Sequence, residues 1–177
     1  MKFHSLLFAV ASIIFAAVAA NVNDIKADVA KISSLVTSLD RSVNDFPATG
    51  GTLSQGINIG SNVINLGSGL DKGTVDVKAT PPFSEADAKA ILGSFKSLLP
   101  TVLHLLANII TKKSAFEHLP FPGIAGLVRD ALVKLHASTS AFENALIASD
   151  PGSVKGEAEA AKASVDAAFA NAIKAFS

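Results

Sequence analysis

Apolar residues along this chain recur at steps of three and four, and five stretches carry that pattern far enough to predict helices. The first runs from about Val22 to Asp45, with Ile25, Val29, Ile32, Val36, Leu39 and Val43 on one stripe. Asn21 or Asn23 can cap it, and Phe46-Pro47 ends it, because a residue before proline is pushed out of the helical region. The second runs from about Thr52 to Lys72, and Gly73 to Phe83 reads as a linker. The third, Ser84 to Lys113, opens with Ser84 and Asp87 at capping-box spacing and carries no formal charge between Lys96 and Lys112. A surface helix normally has a charged outer face, so this one is expected at the centre, mostly surrounded by protein, with Pro100 bending it. The fourth follows the break His118-Leu119-Pro120-Phe121-Pro122-Gly123 and reads Ile124, Leu127, Val128, Ala131, Leu135, Phe142, Ala145 and Leu146 on one face. The fifth starts at Asp150-Pro151, with the aspartate as cap and the proline in the first turn, and has an alanine-rich inner face. No stretch alternates with the period of two that strands require. The expected fold is all-α: a single-domain antiparallel bundle of about five helices with room for a central apolar cavity.

Two details of the pattern bear on function. Gly56, Gly60 and Gly67 fall within the apolar arc of the second helix, near Leu53, Ile57 and Ile64. A glycine in a helix interior costs roughly 0.5–1 kcal/mol relative to alanine. The missing side chains either leave space for a ligand or let a neighbouring helix approach. On the third helix the polar residues Ser97, Thr101 and His104 form an uncharged strip, which is either a seam against another helix or the headgroup end of a cavity.

Composition narrows the classes. The first twenty residues have Lys2 before an apolar run from Leu6 to Ala19 and end on small residues, the form of a secretory leader; residues 21–177 would then be the domain. Basic and acidic residues balance at 15 each, which gives no reason to expect nucleic acid as partner. There are no cysteines, so disulfides and thiolate chemistry are excluded, and 49% apolar content must hold the fold by packing. All 11 aromatic residues are phenylalanine, which disfavours sugar-stacking sites. The search for chemistry finds no nucleophile elbow, no metal-binding His-Glu-x-x-His and no phosphate loop, and His104, His118 and His136 lie on separate elements. The expectation is therefore no catalytic residues, no metal and no cofactor. What remains is the apolar interior, either a filled core or a lipid site.

The run Asn23-Asp24-Ile25-Lys26-Ala27-Asp28-Val29-Ala30-Lys31-Ile32 with Leu35, Leu39, Val43 and Phe46 resembles the opening of the fungal hydrophobic surface-binding protein A family, which includes the ligand-binding domains of cell-wall galactomannoprotein antigens. The likeness continues in order through Ser84 to Ala88, Ile91-Leu92, Lys112-Lys113, Phe116, Leu127, Leu132, Phe142, Ala145 to Ile147, Val165 to Phe169 and Ala172-Ile173. The resemblance implies a secreted, extracellular helical bundle that binds long-chain fatty acids or another apolar ligand. It also implies adsorption to hydrophobic surfaces and recruitment of secreted polyester-degrading hydrolases. No lipid-anchor signal follows Phe176-Ser177, so a freely secreted form, at most cell-wall associated without an anchor, is expected. Combined with helical position, the expected ligand-binding residues are Gly56, Ile57, Gly60, Ile64, Phe95, Leu98, Thr101, Val102, Leu105, Leu135, Ser138 and Phe142, with Ser97 and Gln55 as further polar candidates.

Overall fold

Local capping chemistry starts the first three helices. In the computed structural model, which describes residues 20–120 and 122–177, α1 spans Val22–Asn44. Asn21 accepts from the backbone N–H of Asn23 and Asp24, and the Asp24 carboxylate accepts the Asn21 N–H at 2.9 Å. The second helix, α2, spans Leu53–Ala79 and opens on the same reciprocal device, built from Thr52 and Gln55. The third, α3, spans Glu85–Thr111; the Ser84 hydroxyl accepts from the Asp87 N–H and donates to its carboxylate. A short α4 (Lys113–Glu117) follows, then α5 (Ile124–Ser149) and α6 (Gly152–Ala175). α5 is entered through Gly123 at φ 76°, a left-handed conformation that suits glycine.

Several expected boundaries move. Gly73 does not stop α2, which continues to Ala79. A Cβ built on Gly73 would lie 2.8 Å from the Phe142 ring, so this glycine is a place of close approach. Beyond it, fully buried Val77 holds the extra turns to the core. The residues of α4 were not expected as a separate helix. At the start of α6 the capping position falls on Pro151, and no side chain caps it, Asp150 included. α3 is unbroken through Pro100.

Among the described residues the five long helices form a ring in the order α1, α2, α5, α6, α3. Consecutive long helices alternate in direction, as short connections require. The ring order nevertheless makes α1 and α3, α3 and α6, and α2 and α5 parallel neighbours, because each pair is separated by a returning helix. Register along α1 and α3 is visible in Lys26–Asp87, Asp40–His104 and Asn44–Asn108, each pair some sixty residues apart in the chain. One continuous core fills the ring, from Ile25, Leu39 and Val43 of α1 to Leu105 and Leu106 of α3 and Val165 and Phe169 of α6. Burying such a side chain contributes roughly 1.5–3 kcal/mol.

The lower end is closed by α4. Phe46, fully buried after α1, stacks on Phe116 with centroids 4.8 Å apart. Lys112 donates to the carbonyls of Asn44 and Phe46, placing a cation where the end of α1 leaves acceptors unpaired. α3 is therefore not central. It occupies the ring position opposite the α2–α5 edge, with a buried face through Ile91, Leu98 and Leu105 and an exposed face through Gly93, Ser94, Ser97, Pro100 and Ala107. Beyond Lys96 that outer face is small or polar rather than charged, which is why hydropathy alone made the helix look enclosed. By length and composition α3 is also apolar enough to cross a membrane, a test that core helices pass.

Candidate functional site: an apolar cavity between α2 and α5

Five edges join the ring, and four are laced by polar contacts. Asp28–Lys72 and Ser42–Asn62 cross α1–α2; Asp40–His104 crosses α1–α3; Lys96–Glu157 crosses α3–α6; His136–Asp166 and Ser140–Asp166 cross α5–α6. Among the described residues no side-chain hydrogen bond or ion pair crosses from α2 to α5. The two helices pack closely where Gly73 meets Phe142, and between Gly56 and Asp71 they flank a cavity of about 590 Å³. That lies within the range of roughly 300–1,000 Å³ usual for small-molecule sites.

α2 supplies one wall with Gly56, Ile59, Gly60, Val63, Ile64 and Gly67; α5 supplies the other with Ile124, Leu127, Val128, Ala131, Leu132 and Leu135. Leu39, Ile109, Phe116 and Leu119 form the floor. The glycines have different jobs. A Cβ on Gly60 or Gly67 would meet nothing within 4 Å, so these two leave open space. A Cβ on Gly56 would lie 3.0 Å from Leu119, so this one admits a neighbour. The polar lining is gathered mainly at one end, where Ser68 and Asp71 face Lys134 and Ser138; Asp130, exposed and paired with Arg129, lies about 12 Å before Ser138 along α5. The remaining lining is aliphatic or phenyl and offers no hydrogen bond, so the arrangement suits an apolar body with a polar head.

Of the expected ligand-binding residues, Gly56, Gly60, Ile64, Leu135 and Ser138 line this cavity. The others are elsewhere. Ile57 is 58% exposed, two turns before Ile64 on the same face of α2, and does not line the cavity. Leu98 and Leu105 are buried in the ring core, while Val102 packs half-buried against it. Thr101 lies half-buried on the strip that faces α1, and Phe95 borders a small void between α3, α5 and α6. Phe142 is fully buried, with its ring against Gly73. These placements have one cause: α3 stands opposite the α2–α5 edge and sends only Ile109 into the cavity. Its Ser97–Thr101–His104 strip belongs to the seam with α1, where His104 meets Asp40 at 2.8 Å and Asn108 meets Asn44 at 2.6 Å. Ser97 bonds the Gly93 carbonyl, and Gln55 is committed to its cap. The lining residues not foreseen include Ile59 and Val63, whose apolar periodicity was visible, Leu119, which sat in the segment read as a break, and Phe116, which lay just before it.

Charged groups away from the cavity are mostly paired at the surface. Asp166 receives Lys162, His136 and Ser140; burial pushes its carboxyl up, but those hydrogen bonds outweigh it and hold it below the usual carboxylate range. Glu143 differs. It is 3% exposed, neither carboxylate oxygen has a hydrogen-bond partner among the described residues, and burial pushes its carboxyl up to about 8. No group of three or more His, Asp or Glu suited to a metal occurs among the described residues.

A helical ring with an apolar cavity along part of one edge, and polar groups at one end of that cavity, defines a helical-bundle protein of the ligand-binding class. The chain belongs to the hydrophobic surface binding protein A family, whose model matches residues 22–148. Its fold is similar to Afmp4p in complex with palmitic acid, with a TM-score of 0.81 and 28% identity over 88% of this chain and 99% of that one. It is also similar to ligand binding domains 1 and 2 of the Penicillium marneffei MP1 protein, both in complex with arachidonic acids. Their TM-scores are 0.79 and 0.78, their identities 18% and 19%, and the matches cover 88% of this chain and 98% and 93% of those. No curated protein sequence matches the chain significantly.

Proposed function

We propose that this protein is a non-enzymatic carrier that binds a long-chain fatty acid or similar lipid in the α2–α5 cavity. The observation that carries the reading is the cavity itself: about 590 Å³, walled by aliphatic side chains and by glycines whose missing side chains leave the space open. The palmitic acid in the complex of the 28% identical relative supports the same ligand class. Native mass spectrometry of the purified chain, before and after addition of palmitate, tests it. A mass increment of one or more acids is expected; an unliganded chain that takes up no palmitate refutes the reading.

A second role is favoured by what surrounds the cavity. Ile64 and Leu127 at its rim are 70% and 58% exposed, and Ile57 continues the same face of α2. Large exposed apolar residues gathered on one side suit adsorption to a hydrophobic surface, the property that names the family. Recruitment of secreted polyester hydrolases belongs to this role. The triple variant Ile57→Ser, Ile64→Ser, Leu127→Ser should lose adsorption to polyester particles while staying folded. Adsorption equal to the wild type removes this face from the role. Secretion, with at most cell-wall association, is the proposed location. The leader expected over residues 1–20 lies almost wholly outside the described residues, and the mass of the exported chain would locate its cleavage after Ala19 or Ala20.

A further inference from the structure

We propose that Leu119, seated on Gly56, sets the longest acyl chain the cavity accepts. This rests on the lipid reading above and assigns a specificity role within it. The cavity has two unlike ends. From Gly56 to Asp71 the α2 wall runs about 22 Å at 1.5 Å per residue, the scale of an extended long acyl chain. At the Asp71 end the lining is polar and open to water: Ser68, Lys134 and Ser138 reach it from both walls. At the Gly56 end the lining is apolar and closed by Phe116 and Leu119, both buried.

Desolvating a carboxylate among apolar groups is unfavourable, whereas burying a methyl end is favourable. An amphiphile therefore enters one way round, tail toward Leu119 and head toward Ser138. Asp71 shares the polar end with Lys134, so burial rather than net charge decides the orientation.

The closed end has one fixed wall and one adjustable wall. Phe116 is fixed, because it stacks on Phe46, and the Phe46 ring fills the space where a side chain on Gly51 would begin, 2.3 Å away. Leu119 follows the last turn of α4, and its Cδ1 lies 3.0 Å from the position of a Cβ on Gly56. The missing side chain at residue 56 is what lets Leu119 close over the tail. Shortening Leu119 should lengthen the accepted chain; adding a methyl at residue 56 should push Leu119 inward and shorten it.

The experiment is an affinity ladder of straight-chain saturated acids from dodecanoate to docosanoate, titrated into the full chain and followed by native mass spectrometry. In the wild type each added methylene that stays buried should raise affinity about fourfold, until a break point where the gain stops. Leu119→Ala should move the break point to a longer acid, and Gly56→Ala to a shorter one. The alanine at 56 also favours the helix, so it keeps the test decisive if Leu119→Ala does not fold. Wild-type binding with one break point shared by both variants overturns the assignment and leaves the lipid reading intact. So does a ladder shortened by Ser138→Leu and untouched by Gly56→Ala, which would put the tail at the other end. No binding of any acid by the wild type removes the lipid reading and this assignment together.

Discussion

The α1–α3 edge and the α2–α5 edge are both parallel helix pairs in the same ring, and they are built in opposite ways. The α1–α3 edge is tied by Lys26–Asp87, Asp40–His104, Asn44–Asn108 and the Lys112 contacts, and its apolar residues on both helices point into the core. The α2–α5 edge has no such tie among the described residues, exposes Ile64 and Leu127, and places glycines where side chains would fill the gap. Polar ties fix register and exclude a third body from the seam. Glycines and unpaired aliphatic side chains leave the seam ready to take one. The fold is thus held by four polar-tied edges and by the close Gly73–Phe142 packing at one end of the fifth, whose other stretch is left to serve a ligand.

The largest expected effect fills that fifth edge. Gly60→Leu with Gly67→Leu adds two side chains where open space exists and removes two helix-interior glycines. Palmitate affinity should fall at least about a hundredfold, roughly 2.7 kcal/mol, with thermal stability equal or higher. Titration together with a melting curve checks both. A filled variant that still binds as the wild type would place the ligand elsewhere.

Next comes a carboxyl buried on the tied side. The Glu143 carboxyl is raised from 4.5 to about 8 by burial, which Lys162 opposes and Asp166 reinforces. Between those values the folded chain holds a proton that the unfolded chain has released. Stability should therefore fall as pH rises through that window and level off above it. The total is a few kcal/mol at about 1.4 kcal/mol per pKa unit. The lowered carboxylates, Asp87 and Asp166 among them, act oppositely, and their contribution is complete by weakly acidic pH. Glu143→Leu should melt higher than the wild type at pH 8, with the difference shrinking toward pH 4.5. The histidines are common to both proteins and cancel in the difference. A constant difference across the range would show that Glu143 carries no proton in the fold.

The two kinds of glycine give a smaller effect of opposite sign on one helix. Gly73→Ala puts a Cβ 2.8 Å from the buried Phe142 ring and should cost about 1–3 kcal/mol. Gly60→Ala meets nothing within 4 Å and should gain roughly 0.5–1 kcal/mol. Denaturant midpoints of the two variants check the pair; equal signs would break the distinction between contact glycines and space-leaving glycines.

That distinction also marks how far the sequence could be read. Helix periodicity located α1, α3, α5 and α6 to within a few residues, because each buries a stripe long enough to show its period. It stopped α2 early, since Gly73 looks like a terminator until Phe142, some seventy residues on, is placed against it. Periodicity also says which residues face inward without saying what they face. Phe95, Leu98, Val102 and Leu105 were assigned to the site for that reason, and ring order sends them to other seams or the core. Phe116 was missed because the five residues of α4 carry too few turns to show a stripe, and Leu119 because it lies beyond α4 in the segment read as a break.

The smallest effect tests the tied edge directly. His104 Nδ1 lies 2.8 Å from the Asp40 carboxylate, with the imidazole 58% exposed, so solvent screens most of what the pair contributes. His104→Ala should cost about 0.5 kcal/mol, a shift of about 1–2 °C in Tm for a chain of this size. Palmitate affinity should stay the same, because the strip carrying His104 is spent on α1 and the cavity lies across the ring. A Tm nearly unchanged with affinity lowered several-fold would turn the strip back into a headgroup site and erase the difference between the two edges.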